Sequence, residues 1–198
     1  MKFREPRDCR TMGNDTISIK DWAGKSQWRA LRADLARFRK NGYTGWGSEG
    51  FWALVIHRLR KMAGECRPRW VWMPVRSALA IVNKLFTMVT HMDIHPGAQI
   101  GPGLLIPHVG PLRVHGNTKI GARCDMHHVC TIGAAPGGAS GATIGDNVYI
   151  GCHSSIIGAV TIGDGATIAA NTLVISDVPA GATAIGVPAR ILPPMPRR

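Results

Sequence analysis

Aromatic and acidic side chains are both scarce in this chain of 198 residues. Only 6% of the residues are Phe, Trp or Tyr, and the 12 Asp and Glu face 24 Lys and Arg, which leaves a formal net charge of +12. Because 45% of the residues are hydrophobic, the chain is too apolar for a disordered tail, and aliphatic side chains must form most of its core. At this length we expect one main core.

The sequence contains neither an uninterrupted membrane-spanning run nor a cysteine framework. Its most apolar stretch, residues 70–89, is interrupted by Arg76, Asn83 and Lys84, and its first six residues lack the apolar part of a secretory signal. We therefore expect a cytoplasmic protein. The five cysteines are an odd number without a Cys-x-x-Cys pair, which favours reduced thiols over disulfides or a cysteine-based zinc site.

Basic charge is concentrated in the first half of the chain. Residues 1–90 contain 18 Lys and Arg against 7 Asp and Glu, whereas residues 91–198 contain 6 against 5. All six tryptophans also lie in the first half. This shift in composition predicts a basic, Trp-rich helical region at 1–90 and a second domain, with a short C-terminal tail, at 91–198.

Hydrophobic periodicity predicts amphipathic helices in the first region. Residues 51–62 and 71–88 repeat apolar side chains at spacings of three and four, and Gly64 and Pro68 separate the two segments. Residues 28–40 predict an earlier, basic helix. The expected apolar face of the 51–62 helix consists of Trp52, Val55, Ile56, Leu59 and Met62.

Aliphatic residues recur at every sixth position through most of the second half. The three runs are Ile94, Ile100 and Ile106, then Val114, Ile120, Met126 and Ile132, and finally Ile144, Ile150, Ile156, Ile162, Ile168 and Val174. A period of six fits short strands that are joined by tight corners around a shared interior, and it fits neither an α-helix nor a two-faced strand. We therefore predict a mainly β fold, a hexapeptide parallel β-helix with a helical N-terminal region.

Two interruptions of the repeat indicate a functional face, because solenoids accept extra residues at their loops. One adds two residues between Ile106 and Val114. The other, residues 133–142, predicts a flexible loop that leaves the coil. Adding the two extra residues to a coil of eighteen places His108 and His128 on neighbouring rungs, about 5 Å apart.

Seven of the eight histidines lie in or beside the β-helix, and histidine is the natural proton carrier at neutral pH. A corner histidine is most often simply solvated, and only His108 has a position that favours a chemical role. We interpret His95, His115 and His127 as structural or exposed, and we leave His153 open.

Four segments resemble the hexapeptide-repeat serine acetyltransferase family. They are Asp-Ile-His-Pro-Gly-Ala-Gln-Ile-Gly at 93–101, Ile-Pro-His at 106–108, Thr-Ile-Gly at 131–133 and Gly-Val-Pro-Ala-Arg-Ile at 186–191. The resemblance covers residues 90–192. It implies a left-handed β-helix, a homotrimer and the use of acetyl-CoA, with His108 and Asp93, fifteen residues apart, as the catalytic pair.

The chain departs from that family where the family binds serine. Pro107 and Gly116 replace an Asp and a Glu, and Ser140-Gly141 replaces an Arg-His pair. The remaining pattern, with His128 in a His-Val-Cys-Thr-Ile-Gly segment, is similar to serine-acetyltransferase-like enzymes of bacterial polysaccharide synthesis, such as colanic acid acetyltransferases. We therefore expect acetyl transfer to a sugar hydroxyl, with serine O-acetylation for cysteine biosynthesis as the alternative.

The catalytic chemistry needs a base, because a hydroxyl attacks a thioester well only while its proton is being removed. His108 is the expected base, Asp93 is expected to fix its tautomer, and His128 is the next candidate base. The resemblance further implies a set of coenzyme-binding residues, some with small side chains along the coil, one near the nucleotide and one at a phosphate. The set consists of Gly133, Ala134, Cys152, Thr167, Ala170 and Arg190.

Two other function classes deserve comparison. The γ-class carbonic anhydrases share the β-helix and bind zinc partly through two histidines five residues apart, a spacing that this chain lacks, so we expect no metal. The basic, Trp-rich region also suits nucleic acid, an anionic membrane surface or helix packing around a trimer. Of these we expect no nucleic acid, and we keep peripheral contact with the inner face of a membrane as an option.

Overall fold

Three helices precede a parallel β-helix in the computed structural model, which describes residues 27–138 and 140–194. The helices are α1 (Gln27–Lys40), α2 (Glu49–Glu65) and α3 (Arg69–Thr90), with a short 3-10 turn at Gly45–Gly47. They contain the three predicted helical segments and extend each of them. The expectation about the first six residues and the fifth cysteine, Cys9, fall outside the described residues.

Short strands form three sheets within these residues. The strands are β1 (Met92–Ile94), β2 (Gln99–Ile100), β3 (Leu112–Val114), β4 (Lys119–Ile120), β5 (Asp125–Met126), β6 (Cys130–Gly133), β7 (Thr143–Ile144), β8 (Tyr149–Ile150), β9 (Ser155–Ile157), β10 (Thr161–Ile162), β11 (Thr167–Ile168), β12 (Leu173–Val174), β13 (Thr183–Ile185) and β14 (Arg190–Leu192). Sheet A has the order β1-β3-β6-β9-β12, sheet B β10-β7-β4-β2, and sheet C β14-β13-β11-β8-β5. Only β13 and β14 pair antiparallel among the strands of these sheets.

The hexapeptide positions stack in register and form the interior. In sheet A, for example, Ile94 pairs with Val114, Val114 with Ile132, and Ile132 with Ile156. All thirteen predicted aliphatic positions are buried. Each coil satisfies the backbone groups of the next, so that short strands with little hydrogen bonding of their own become stable as a stack. The predicted parallel β-helix with helical N-terminus is therefore confirmed.

A buried ion pair joins the helices to the first coil. The Nε and Nη2 atoms of Arg58 in α2 donate to the two carboxylate oxygens of Asp34 in α1, at 2.6 and 3.2 Å. The remaining guanidinium hydrogens reach Gln27 and the carbonyl oxygens of Ile100 and Gly101. With both charges almost fully buried, this complete set of partners makes the position of α1 and α2 on the β-helix specific.

The buried face of α2 differs from the predicted one. Of the predicted face only Ile56 is buried, whereas Phe51, Leu54, His57 and Arg58 lie inside. The cause is tertiary, because Phe51 and Leu54 pack into the β-helix core and Arg58 must reach Asp34. The prediction of that apolar face was therefore wrong, although the prediction of a helix was correct.

The change from helix to strand falls close to residue 90, where α3 ends and β1 begins two residues later. Thr90 is the only buried residue of α3, and most of the helix is exposed to solvent. None of the helices within residues 27–138 and 140–194 combines the length and the hydropathy required to cross a membrane.

Candidate active site

The two-residue insertion widens one corner of the first coil. Leu105 bridges to Asp125 in sheet C, and Leu112 pairs with Cys130 in sheet A, so the residues between them form the corner that joins the two sheets. We call the stack of these corners the C/A edge. His108 lies in the inserted segment and is exposed.

Four imidazoles follow each other along the C/A edge, and we call them the histidine row. The ring centroid of His108 lies 5.8 Å from that of His127 and 5.8 Å from that of His128. His153 follows on the next coil, 5.7 Å from His128. The structure thus places His108 and His128, the two predicted bases, on neighbouring rungs, as the spacing of the repeat predicted.

His127 belongs to the site, although the sequence interpretation set it aside as structural or exposed. Its ring lies between those of His108 and Tyr149, at 5.8 and 5.1 Å. Burial, together with the charge of His108, lowers the pKa of His127, which favours its neutral form. The count that places His128 below His108 could have identified His127 equally well, because the two residues are adjacent.

Tyr43 is a second residue that the sequence did not reveal. It follows α1 and packs edge-on against His108, with ring centroids 6.4 Å apart. Its position depends on how α1 and α2 dock on the coil, which no local pattern encodes. Tyr43 is therefore an aromatic neighbour of His108, as Tyr149 is of His127.

The backbone beside His128 adopts an unusual conformation. Val129 has a φ of 55°, in the left-handed region that branched side chains rarely enter. The carbonyl oxygen of His128 accepts a hydrogen bond from the N–H of His153 at 3.2 Å, which ties two coils together. Within the described residues the buried Nδ1 of His128 has no hydrogen-bond partner.

Asp93 does not make the expected hydrogen bond to His108 within the described chain. One of its oxygens instead lies 3.9 Å from Nη2 of Arg113, the residue opposite it in the neighbouring strand. The Arg113 side chain is 73% exposed and that of Asp93 is 36% exposed, and the contact is long, so this ion pair is weak. The register of β1 and β3 puts Asp93 beside Arg113. Sequence spacing alone could not reveal that Arg113 competes with His108 for the Asp93 carboxylate.

Part of the predicted coenzyme set continues the C/A edge. Cys152 and Ala170 occupy the corners of the next two coils, where Asn171 donates its N–H to the carbonyl oxygen of Cys152. Arg190 lies in β14 near the C-terminal end, exposed, and its guanidinium has no partner within the described residues. From His128 to Arg190 this edge rises by roughly four rungs, or about 19 Å, and its small side chains leave room for an extended ligand.

The rest of that set lies elsewhere on the chain. Thr167 is on sheet C between Tyr149 and Thr183. Gly133 ends β6, three residues or about 10 Å from the C/A edge, and Ala134 follows it into the loop. One chain alone therefore does not gather all six residues around a single groove, because Gly133 and Ala134 lie across sheet A from Cys152.

The residues that the resemblance places where serine-binding groups are expected are also divided. Pro107 adjoins His108, but Gly116 lies on the other side of sheet A, so close to His95 that a Cβ atom there would overlap its imidazole. The predicted loop is present between β6 and β7, with a turn closed by Gly138 N–H and Ala135 oxygen at 2.9 Å. Its residue 139 is outside the described set.

The buried cysteines are unsuited to chemistry. Burial raises the pKa of Cys124 to about 12 and that of Cys130 to about 11, so neither forms a thiolate at neutral pH. Cys152 is only half-buried. In the part of the chain that the structure covers, no group of three His, Cys, Asp or Glu side chains is arranged to hold a metal ion.

Comparison with known proteins agrees with this architecture. Residues 141–176 match the family described as bacterial transferase hexapeptide (six repeats). A serine acetyltransferase of Helicobacter pylori strain J99 is 35% identical over 145 residues, which are 72% of this chain and 81% of that protein.

Solved structures give the same result. Soybean serine acetyltransferase matches as the apoenzyme, at 33% identity with a TM-score of 0.73 over 84% of this chain and 69% of that one. Its complex with serine matches at 31% with the same TM-score, over 87% and 72%. Brucella abortus serine acetyltransferase in complex with coenzyme A matches at 26%, with a TM-score of 0.71 over 85% and 68%.

These relatives are serine acetyltransferases, and they do not support the polysaccharide branch that the sequence suggested. The prediction of a hexapeptide-repeat acyltransferase is confirmed, while its assignment to the colanic acid type is not. The chain belongs to the serine acetyltransferase family of hexapeptide-repeat transferases.

Proposed function

We propose that this chain is an O-acetyltransferase that uses acetyl-CoA, with His108 as its general base. The observation that carries the proposal is the exposed His108 in the histidine row, at the start of an edge that continues through the small residues Cys152 and Ala170. Coenzyme A in a related structure supports the donor. Arg190, at the far end of that edge, is a suitable partner for a phosphate.

The proposed reaction needs one proton carrier and no acyl-enzyme. A nitrogen of His108 removes the proton of the acceptor hydroxyl while the oxygen attacks the thioester carbonyl. When the tetrahedral intermediate collapses, the carbon–sulfur bond breaks, the acetyl group remains on the acceptor oxygen, and the imidazolium returns the proton to the coenzyme thiolate. His127, whose pKa is lowered, would limit repulsion of that imidazolium by staying neutral beside the base.

Asp93 remains a proposed positioning residue for His108. It can act only when it leaves Arg113, whose guanidinium lies 3.9 Å from its carboxylate. Because the Arg113 side chain is exposed and the contact is long, separation of the pair costs at most about 1 kcal/mol. We therefore expect Asp93→Asn to lower turnover less than removal of His108 does.

Serine is the acceptor that the comparisons favour, since the relatives are serine acetyltransferases and one was solved with serine. This reverses the order of the two acceptors expected from the sequence. A second acceptor class, a saccharide hydroxyl, is favoured by the neutral Pro107, Gly116, Ser140 and Gly141. A site without charged groups there forfeits hydrogen bonds to the ammonium and carboxylate of serine, each worth about 1.5 to 3 kcal/mol.

Steady-state release of coenzyme A against a panel of acceptors tests this proposal. The panel contains L-serine, the serine methyl ester, nucleotide sugars and bacterial oligosaccharides. Saturable acetylation of serine that is lost with the ester supports serine, since the ester lacks the carboxylate. Acetylation of saccharides alone supports the second class. Absence of acetyl transfer to every hydroxyl, with coenzyme A still bound, contradicts the proposed function.

We further propose that the active form is a homotrimer. The separation of Gly133 and Ala134 from Cys152 supports this, because a neighbouring copy can bring its own loop to the C/A edge of the first chain. Light scattering combined with activity at low concentration is the test. An active monomer would contradict it.

A further inference from the structure

The outer face of α3 presents an unusual amount of apolar surface. Nine large apolar side chains on this helix are between 42% and 81% exposed, namely Trp70, Val71, Met73, Val75, Ile81, Val82, Leu85, Met88 and Val89. Only Thr90 of the helix is buried. Apolar surface of this extent on one element indicates an interaction site.

These residues form one continuous face. At 100° per residue they span about 200° of the helix circumference, with Trp70, Ile81, Leu85 and Met88 near the centre. The opposite side, which includes Phe86, faces the core. The face therefore extends along the whole helix, from Trp70 to Val89, and only its inner side is covered by the chain itself.

The charged residues of the segment that carries this face all have one sign. Between Glu65 and Asp93 the sequence contains no acidic residue and four basic ones, Arg67, Arg69, Arg76 and Lys84. By the same 100° rule, Lys84 falls just inside the Met73 edge of the apolar face, and Arg69 and Arg76 fall about 40° and 60° beyond that edge on the same side. An apolar face with a basic flank and a terminal tryptophan is the pattern of a helix that lies in the surface of an anionic bilayer.

We propose that α3 is a peripheral membrane-binding helix that lays its apolar face on an anionic lipid surface. Charge favours lipid over a second copy that docks through its own α3. Such a copy brings only further positive charge to this face, whereas anionic headgroups supply the opposite charge. The helix enters the outer part of one leaflet, parallel to the bilayer plane, and does not cross it.

Sedimentation of the full chain with vesicles tests the proposal. Vesicles of phosphatidylethanolamine with phosphatidylglycerol should bind it about tenfold or more tightly than phosphatidylcholine vesicles, because several basic residues lie beside the inserted face. The triple variant Ile81→Ser, Leu85→Ser and Met88→Ser should bind the anionic vesicles about a hundredfold more weakly, because it removes the apolar insertion. Thermal melting should be unchanged, because all three side chains are exposed.

Two tryptophans of equal exposure provide a matched control. Trp70 on α3 is 75% exposed and Trp46, before α2, is 72% exposed. Trp70→Ser should weaken vesicle binding, and Trp46→Ser should leave it unchanged. Equal losses in the two variants would overturn the assignment to α3.

Two further outcomes would contradict the proposal. One is failure of the folded wild type to sediment with any vesicle, and dissociation of the triple variant into smaller particles in light scattering would then assign α3 to contact with a second copy. The other is undiminished binding by the triple variant. None of these results depends on acetyl transfer, so the proposed enzymatic function is tested separately.

Discussion

The imidazole of His108 stands nearly perpendicular to that of His128, with ring centroids 5.8 Å apart and ring planes at 85°. The two residues are twenty apart in sequence, one coil plus the two-residue insertion. The insertion moves His108 outward into solvent, while Nδ1 of His128 stays buried. Neighbouring coils thus place one exposed and one partly buried imidazole at the same edge.

Val129, which follows His128, should be under backbone strain, and substitutions at this position should reveal that strain in the free energy of unfolding. Its φ of 55° matches the 55° of Asn171 at a C/A corner two coils later. Because Asn tolerates this conformation and Val does not, Val129→Asn should raise the free energy of unfolding by about 1 kcal/mol, and Asn171→Val should lower it by a similar amount. Urea denaturation measures both. Destabilisation by Val129→Asn would show that packing of the Val129 side chain outweighs the strain.

Two glycines of α2 should respond oppositely to the same substitution. A Cβ atom at Gly50 would overlap the carbonyl oxygen and side chain of Ile106, whereas one at Gly64 would meet nothing within 4 Å. Gly50→Ala should therefore cost about 1 to 3 kcal/mol through overpacking. Gly64→Ala should be neutral or stabilising by up to about 1 kcal/mol through helix propensity. Melting temperatures test the pair, and equal effects would show that α2 does not approach the coil this closely.

The sequence predicts those parts of the fold that depend on local repetition. Ile144 and its twelve equivalents are buried because each side of a coil is specified by its own six residues. The face of α2 was predicted wrongly because its orientation depends on Asp34, 24 residues before Arg58. Periodicity reports that a helix is amphipathic, but a buried charged pair can rotate it away from its most apolar side.

The candidate site is likewise predictable only in part. Counting coils brings His108 to His128, since both belong to the repeat. Tyr43 reaches His108 through the docking of the helices, and Arg113 reaches Asp93 through strand register. The sequence favoured a saccharide acceptor, whereas the relatives favour serine. The sequence argument rested on missing charged groups, as at Gly116, and a missing group indicates which ligand is bound poorly without identifying the ligand that is bound.

His57 should make the protein sensitive to acid. Burial, reinforced by the positive charges of Arg58, Lys61, Arg60 and His95, lowers the pKa of His57 from 6.5 to about 3. Below about pH 6.5 His57 becomes protonated in the unfolded chain but stays neutral in the folded chain. The free energy of unfolding therefore falls as the pH falls from about 6.5 towards 3. By pH 5 the loss should be about 2 kcal/mol.

The variant His57→Leu isolates this effect. Within the described residues neither ring nitrogen of His57 has a hydrogen-bond partner, so an apolar side chain costs little at pH 7. Urea denaturation between pH 7 and 5 should give a flatter profile for the variant than for the wild type. Parallel profiles would mean that another group causes the acid sensitivity.

Cysteine alkylation should locate the coenzyme. In the folded protein iodoacetamide should modify Cys66 and Cys152 before Cys124 and Cys130, whose buried thiols have a raised pKa. Coenzyme A should slow the modification of Cys152 and leave that of Cys66 unchanged, because only Cys152 lies on the C/A edge. Mass spectrometry of peptides reads each site. Unchanged labelling of Cys152 at saturating coenzyme A would remove this residue from the proposed groove.

The turnover of His108→Ala tests the central claim most directly. The matched control is His115→Ala, which alters a histidine outside the histidine row. Both variants should melt like the wild type and bind coenzyme A as it does. Release of coenzyme A in the presence of the best acceptor should fall by a factor on the order of a hundred or more for His108→Ala, because general-base assistance is lost, and should stay near the wild-type rate for His115→Ala. A folded, coenzyme-binding His108→Ala protein with wild-type turnover would show that His108 is not the base.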